Sequence, residues 1–194
     1  MFCHIITMKA DNKDFTSENT ELEQLDAIGR VAWAWDRFGE DLVVSTSFGL
    51  QSAVMLHLVS KVNKEIPIIF VDTGYLFPET YEYAETLCEK LGIRPKTFSS
   101  GLSQAYQEIR FGKLWEQGAE GMERYNLMNK VEPMQRALKE VNAKGWLSGL
   151  RRGQSDSRAD RTYVETQNGT VKIYPILDWD DRKTYQYLPK NNHR

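Results

Sequence analysis

The sequence is poor in cysteine. Only Cys3 and Cys88 occur in 194 residues, and no pair has the spacing of a thiolate metal site, so no metal and no iron–sulfur cofactor built on cysteines is expected. The same scarcity argues against a disulfide framework and fits a reducing, cytoplasmic setting. A basic excess is missing too. Lys and Arg total 25 against 27 Asp and Glu, a net charge of −2, so neither a nucleic-acid nor a membrane partner is expected, and any anion site must be local. No apolar run approaches the ~18 residues of a membrane span. The apolar opening Met1–Met8 is short and has no basic flank or cleavage site, which argues against a signal peptide. Repeats, low-complexity tracts and linkers are also lacking. The chain therefore reads as one globular domain over residues 1–194, with a loose polar segment through residue 19.

What is present is an alternation of strand and helix. Leu22, Leu25, Ile28, Ala32 and Trp35 form a helical stripe that Gly39 can end. Leu42–Ser45 reads as a strand running into Thr46–Ser52, with a helical pattern from Leu50 to Val62. Ile66–Val71 is a second apolar run and ends in Asp72-Thr73-Gly74. The next helix starts at Pro78 and stops at Gly92. A strand near Ile93–Phe98, helical material around residues 101–110, a helix over Glu132–Val141 and a strand at Gly145–Leu150 follow. Asn168-Gly169 joins Thr162–Thr166 to Thr170–Tyr174 as a hairpin, and Asp180 can cap a last helix through Leu188. The pattern predicts an α/β fold: a doubly wound, mostly parallel sheet with helices on both faces. Ligands of such sheets bind beyond the carboxyl ends of the strands, where the strand order switches. Ser45–Ser52 and Asp72–Gly74 both fall at such ends.

The first of these segments, Ser45-Thr46-Ser47-Phe48-Gly49-Leu50-Gln51-Ser52, places hydroxyls and a glycine between a strand and a helix. Amides at a helix start favour an anion; an ordinary serine-capped turn is the plainer alternative. Asp72-Thr73-Gly74 is either one wall of the crevice or a helix-capping turn. Lys130 and the basic loop with Arg151, Arg152 and Arg158 supply cations suited to phosphate and sulfate oxygens, against the alternative of a solvated basic loop.

Ser47–Ser52 resembles a modified pyrophosphate-binding loop of the adenine nucleotide alpha-hydrolase-like superfamily, whose usual form is Ser-Gly-Gly-x-Asp-Ser. Phe48 stands where that loop has glycine, and neutral Gln51 stands where it has an aspartate. Gln51 suits magnesium poorly, which points away from metal-assisted ATP cleavage. Five segments in order widen the resemblance: Ser45–Gly49, Phe70–Gly74, Asn129–Met134, Gly149–Ser155 and Pro175–Trp179. Together they look like the phosphoadenylyl-sulfate reductase family. That resemblance implies a substrate site for 3'-phosphoadenylyl sulfate at Ser45, Thr46, Ser47, Phe48, Gly49, Gln51, Ser52, Asp72, Thr73, Gly74, Lys130, Gly149, Arg151, Arg152, Gln154, Ser155 and Arg158. It implies release of sulfite and adenosine 3',5'-bisphosphate in sulfate assimilation, with thioredoxin or glutaredoxin as partner and a homodimer as a plausible state. Tyr125 and Asn126 occupy the places where a related branch carries paired cluster cysteines, so the resemblance is to the cluster-free branch.

In that family a thiolate from a Glu-Cys-Gly-Leu-His motif attacks the substrate's sulfur. The sequence ends at Arg194 without this motif, so the expectation is a C-terminally shortened member that binds without turning over. Cys88, on the stripe Tyr81, Ala84, Cys88, Leu91, reads as a core residue with a silenced thiol. Three readings stay open: a thioredoxin-dependent reductase, a non-catalytic nucleotide-binding protein, and an ATP-splitting enzyme of the same superfamily.

Overall fold

A computed structural model describes residues 14–155 and 158–190. Two short helices open it, α1 (Thr16–Gln24) and α2 (Ala27–Phe38). Of the segment expected to be loose through residue 19, residues 1–13 lie outside the described residues, and Thr16–Asn19 is helical, with Asn19 exchanging hydrogen bonds with the Val164 backbone. The single stripe expected over Leu22–Trp35 is split because Leu25 is extended and the Asp26 carboxylate accepts from Gly29 N at 2.7 Å, starting a new helix. Gly39 ends α2 at φ 50°.

Strands β1 (Leu42–Thr46), β2 (Ile68–Asp72), β3 (Lys96–Ser99), β4 (Gly145–Leu147), β5 (Val164–Gln167) and β6 (Thr170–Ile173) form one sheet in the order β3-β2-β1-β4-β6-β5. All neighbours are parallel except β5 and β6, which form the expected hairpin. Asn168 and Gly169 both take positive φ, 52° and 79°, as a two-residue turn of this twist requires.

Helices α3 (Leu50–Val62), α4 (Pro78–Leu91) and α8 (Asp181–Lys190) join α1 and α2 over one face, around Leu22, Val31, Val44, Met55, Leu87 and Ile173. α7 (Glu132–Glu140) covers the other, around Val43, Ile69, Phe98, Ala137 and Trp146. The chain leaves β1 through α3 toward β2 and reaches β4, on the other side of β1, through α7. The strand order therefore reverses beside β1, and a crevice opens at that carboxyl end.

Of the next two helices, one was expected from the sequence and one was not. α5 (Gln104–Phe111) gives form to the material around 101–110, and α6 (Gly118–Asn126) had no counterpart. Glycines hide α6, since Gly118 and Gly121 weaken the pattern. Gly121 is required by packing: a Cβ there would lie 2.2 Å from Leu114 O. α6 runs through a wide π-turn, Leu127–Val131, into α7. The turn falls just before Pro133, which has no N–H to donate back along the helix.

The Pro175–Trp179 segment is an internal brace. Ile176 and Leu177 are fully buried. Arg30, also buried, donates to Asp178 at 2.6 Å, to Pro175 O at 2.9 Å and to Leu22 O at 2.8 Å, and it stacks on Tyr163. This motif thus carries mainly packing, with Trp179 also bordering a cavity between the starts of α2 and α8.

Candidate functional site

A cavity of about 700 Å³ opens at the carboxyl ends of β1 and β4. Ser45, Thr46, Ser47, Phe48, Gly49 and Ser52 line one side. Their turn is organised internally. Ser52 Oγ accepts from Ser47 N at 3.1 Å and lies 3.2 Å from Ser47 Oγ, while Thr46 Oγ1 accepts from Phe48 N at 3.1 Å. Gly49 caps α3 with no side-chain hydrogen bond, so the amides of the first helical turn have no cap from that residue and can face an anion.

Phe48 explains the departure from a glycine loop. Its φ is 53°, a left-handed conformation that glycine would adopt more cheaply. Its ring is nevertheless buried and packs edge-on against Phe70 at 4.9 Å. The aromatic anchor holds a strained turn in the core, so the hydroxyls on either side are fixed relative to the sheet.

Lys130 and Val131 enter the same cavity from the π-turn. Their placement is set by Asn129, fully buried, which exchanges two amide hydrogen bonds with Gln107 at 2.9 and 3.0 Å. Gly149, Leu150, Gln154 and Arg158 enter from the loop after β4, and Arg158 donates to Gln154 Oε1. Val71, Leu76, Met134 and Leu138 supply an apolar wall, with Thr73 beside it.

Not every expected residue faces this space. Arg151 is buried: its guanidinium donates to Asp181 at 2.7 Å and to Trp179 O at 3.3 Å, tying the loop to the start of α8. Its Nε is buried without a hydrogen-bond partner. Arg152 donates to Arg161 O at 3.0 Å, lies over Tyr163 and does not line the cavity. Asp72 turns away as well. Its carboxylate accepts from Gly74 N and from Tyr81 Oη, both at 2.8 Å, and borders a second cavity that also holds Cys88. Burial, reinforced by this bond to Asp72, pushes the Tyr81 phenol up to about 12. Gly74 takes φ 73° to make the turn, and neither it nor Ser155 lines the cavity. The backbone of Gln51 lies in the first turn of α3; its side chain lies outside what the structure describes.

The sequence reading missed the far wall: Trp146, Ser148, Gln167 and Asn168. Trp146 Nε1 donates to Ser45 Oγ at 2.8 Å. The alternation of Gly145-Trp146-Leu147 beside Thr170-Val171-Lys172 carries the only available signal, a large polar-tipped aromatic next to a lysine on one face of neighbouring strands. Among the described residues, no group of three or more His, Cys, Asp and Glu could hold a metal ion, and no helix is long and apolar enough to cross a membrane.

This geometry is that of a doubly wound α/β protein with an anion-suited cavity at the strand switch. The fold is shared with an FMN adenylyltransferase from Candida glabrata, solved with ATP, at a TM-score of 0.54 and 13% identity over 94% of this chain and 58% of that one. A phosphoadenylyl-sulfate reductase from Candida auris, solved as a phosphate complex, agrees better: TM-score 0.79 and 27% identity over 95% of this chain and 89% of that one. The family model for the phosphoadenosine phosphosulfate reductase domain matches residues 41–194. Phosphoadenosine 5'-phosphosulfate reductases of Escherichia coli O157:H7 and of strain SMS-3-5 are 56% identical over 173 residues, 89% of this chain and 71% of theirs. The chain belongs to the phosphoadenosine phosphosulfate reductase family.

Proposed function

We propose that the cavity binds 3'-phosphoadenylyl sulfate and serves its reduction to sulfite and adenosine 3',5'-bisphosphate, with thioredoxin or glutaredoxin as electron donor. The observation that carries this reading is that the Ser45–Ser52 turn, Lys130 and Arg158 line one space of nucleotide size together. Hydroxyls, helix-start amides and two cations complement the phosphate and sulfate oxygens. The apolar wall of Val71, Leu76, Met134 and Leu138 complements a purine. The site residues we assign are Ser45, Thr46, Ser47, Phe48, Gly49, Ser52, Thr73, Lys130, Gly149, Gln154 and Arg158; Arg151, Arg152 and Asp72 act by holding the walls. Neutral Gln51 supports a nucleotide held without metal, and the reaction we assign needs neither metal nor iron–sulfur cluster.

The reductive step requires a thiolate that takes the sulfonate from the substrate, with the bisphosphate as leaving group. Cys88 does not fit that role. It is half-buried on α4, burial and then Glu85 raise its thiol pKa, and it borders the other cavity.

Titration calorimetry tests the reading. Adenosine 3',5'-bisphosphate is expected to bind on the order of a hundredfold tighter than magnesium-ATP; tighter binding of magnesium-ATP overturns it. Cys88→Ser is expected to leave bisphosphate affinity, and any sulfite released with reduced thioredoxin, unchanged.

A further inference from the structure

On the face of the sheet that α7 covers, the apolar layer stops at Trp146. β4 and β6 pair with Trp146 opposite Lys172, and β6 and β5 pair with Lys172 opposite Glu165. Strand alternation therefore places Trp146, Lys172 and Glu165 side by side on one face, with Gln167 two residues beyond Glu165. A lysine between an indole and a carboxylate, in the interior of a sheet, is an expensive choice for packing alone.

Its contacts form a chain to the cavity. Lys172 Nζ lies 3.8 Å from the centroid of the Trp146 ring and donates to Gln167 Oε1 at 2.9 Å. Trp146 in turn donates to Ser45 Oγ at 2.8 Å. Trp146, Gln167 and Ser45 all line the cavity, and Lys172 stands behind them. Its cross-strand neighbour Glu165 is engaged by Arg161 and by Tyr174 Oη.

We propose, on the reading that this cavity holds a phosphorylated nucleotide, that Lys172 is a positioning residue for it: a cation behind the wall that fixes the Trp146–Ser45 arm and makes anion affinity depend on pH. The charged and titratable groups around it are Glu165 on β5, Arg161 and Arg158 on the preceding loop, and Tyr174 after β6. Burial pushes the Lys172 ammonium down to about 8, with Glu165 opposing and Arg161 and Arg158 adding to the shift. Tyr174 is pushed upward, by burial first and then by Glu165, so it stays protonated through the same range. The Trp146 face favours the charged form of the lysine, and so does a bound polyanion. Below pH 8 the ammonium is present and the wall is electropositive. Above it, ligand binding must first draw a proton onto Lys172.

The test is calorimetry with adenosine 3',5'-bisphosphate at pH 7, 8 and 9.5 for the unaltered chain, Lys172→Arg and Lys172→Met, each checked for folding by thermal melting. The unaltered chain is expected to lose about tenfold in affinity from pH 7 to 9.5. Lys172→Arg should hold its pH 7 affinity across the range, because its charge does not titrate there. Lys172→Met should bind about tenfold more weakly at pH 7 and show no decline. A folded Lys172→Met protein with the unaltered affinity and decline overturns the proposal and leaves the nucleotide assignment standing. Absence of bisphosphate binding by the unaltered chain at every pH overturns both.

Discussion

The turn after β1 and the loop after β4 lie side by side at the same end of the sheet and border the same cavity, but their polar groups do different work. In the first, Ser45, Thr46, Ser47, Gly49 and Ser52 all reach the cavity, and a buried aromatic, Phe48, holds the turn from beneath. In the second, three of four arginines are committed to the protein itself: Arg151 to Asp181 and Trp179, Arg152 to Arg161 and Tyr163, and Arg161 to Glu165. Only Arg158 lines the cavity. A run of arginines beside a nucleotide-shaped space is therefore not a run of ligands. Small polar residues fill the turn, where backbone must come close. Long cations both brace and reach in the loop, and burial decides which they do.

Substitutions at Arg151 break this contrast most severely. Arg151→Met should destabilise the fold by about 3 kcal/mol, less than for a fully enclosed pair because Asp181 is largely exposed. The urea midpoint should fall markedly, while the affinity of molecules that remain folded changes little. Lys172→Met should move stability the other way. The folded lysine titrates near 8, below its ordinary 10.5, so its burial penalises the fold below pH 8, and that penalty fades as pH rises toward 10.5. At pH 7 the variant should gain on the order of 1–2 kcal/mol over the unaltered chain, a gain that melting should show shrinking by pH 10.

Arg158→Ala should lower bisphosphate affinity about tenfold and leave melting nearly unchanged. Ser52→Ala removes the acceptor for Ser47 N and should cost about 1 kcal/mol in stability, with weaker binding because the turn loosens. The smallest effect is expected at Arg152→Ala, within about twofold in affinity. If Arg152→Ala weakened binding more than Arg158→Ala, the division of labour between these two arginines would be reversed.

The sheet was legible in the sequence because its signals are local and redundant: apolar runs ending in turn residues, Pro78 and Gly92 bracketing one helix, and Asn168-Gly169 closing the hairpin. The Ser45–Ser52 turn was legible for the same reason, since strand end and helix start adjoin in the chain. What sequence could not separate was the orientation of side chains decided by distant partners. Nothing near Arg151 announces Asp181, thirty residues on, and nothing near Asp72 announces that its carboxylate serves the Tyr81 hydroxyl. The far wall escaped because Trp146 and Lys172 meet only through strand pairing. α6 escaped because the glycine that weakens its pattern, Gly121, is what lets it pack against Leu114.

The π-turn at Leu127–Val131 has a mechanical corollary. In an ordinary helix each residue advances the direction of its neighbours by about 100°, so one extra residue would rotate everything that follows unless a wider turn absorbs it. Pinned by the Asn129–Gln107 amide pair, this one delivers Lys130 from a rigid rod and keeps the bearing of Met134 and Leu138 farther along it. Deleting a single residue such as Met128 would let the turn close to ordinary helix, displacing Lys130 at the bulge while Met134 and Leu138 keep their bearing.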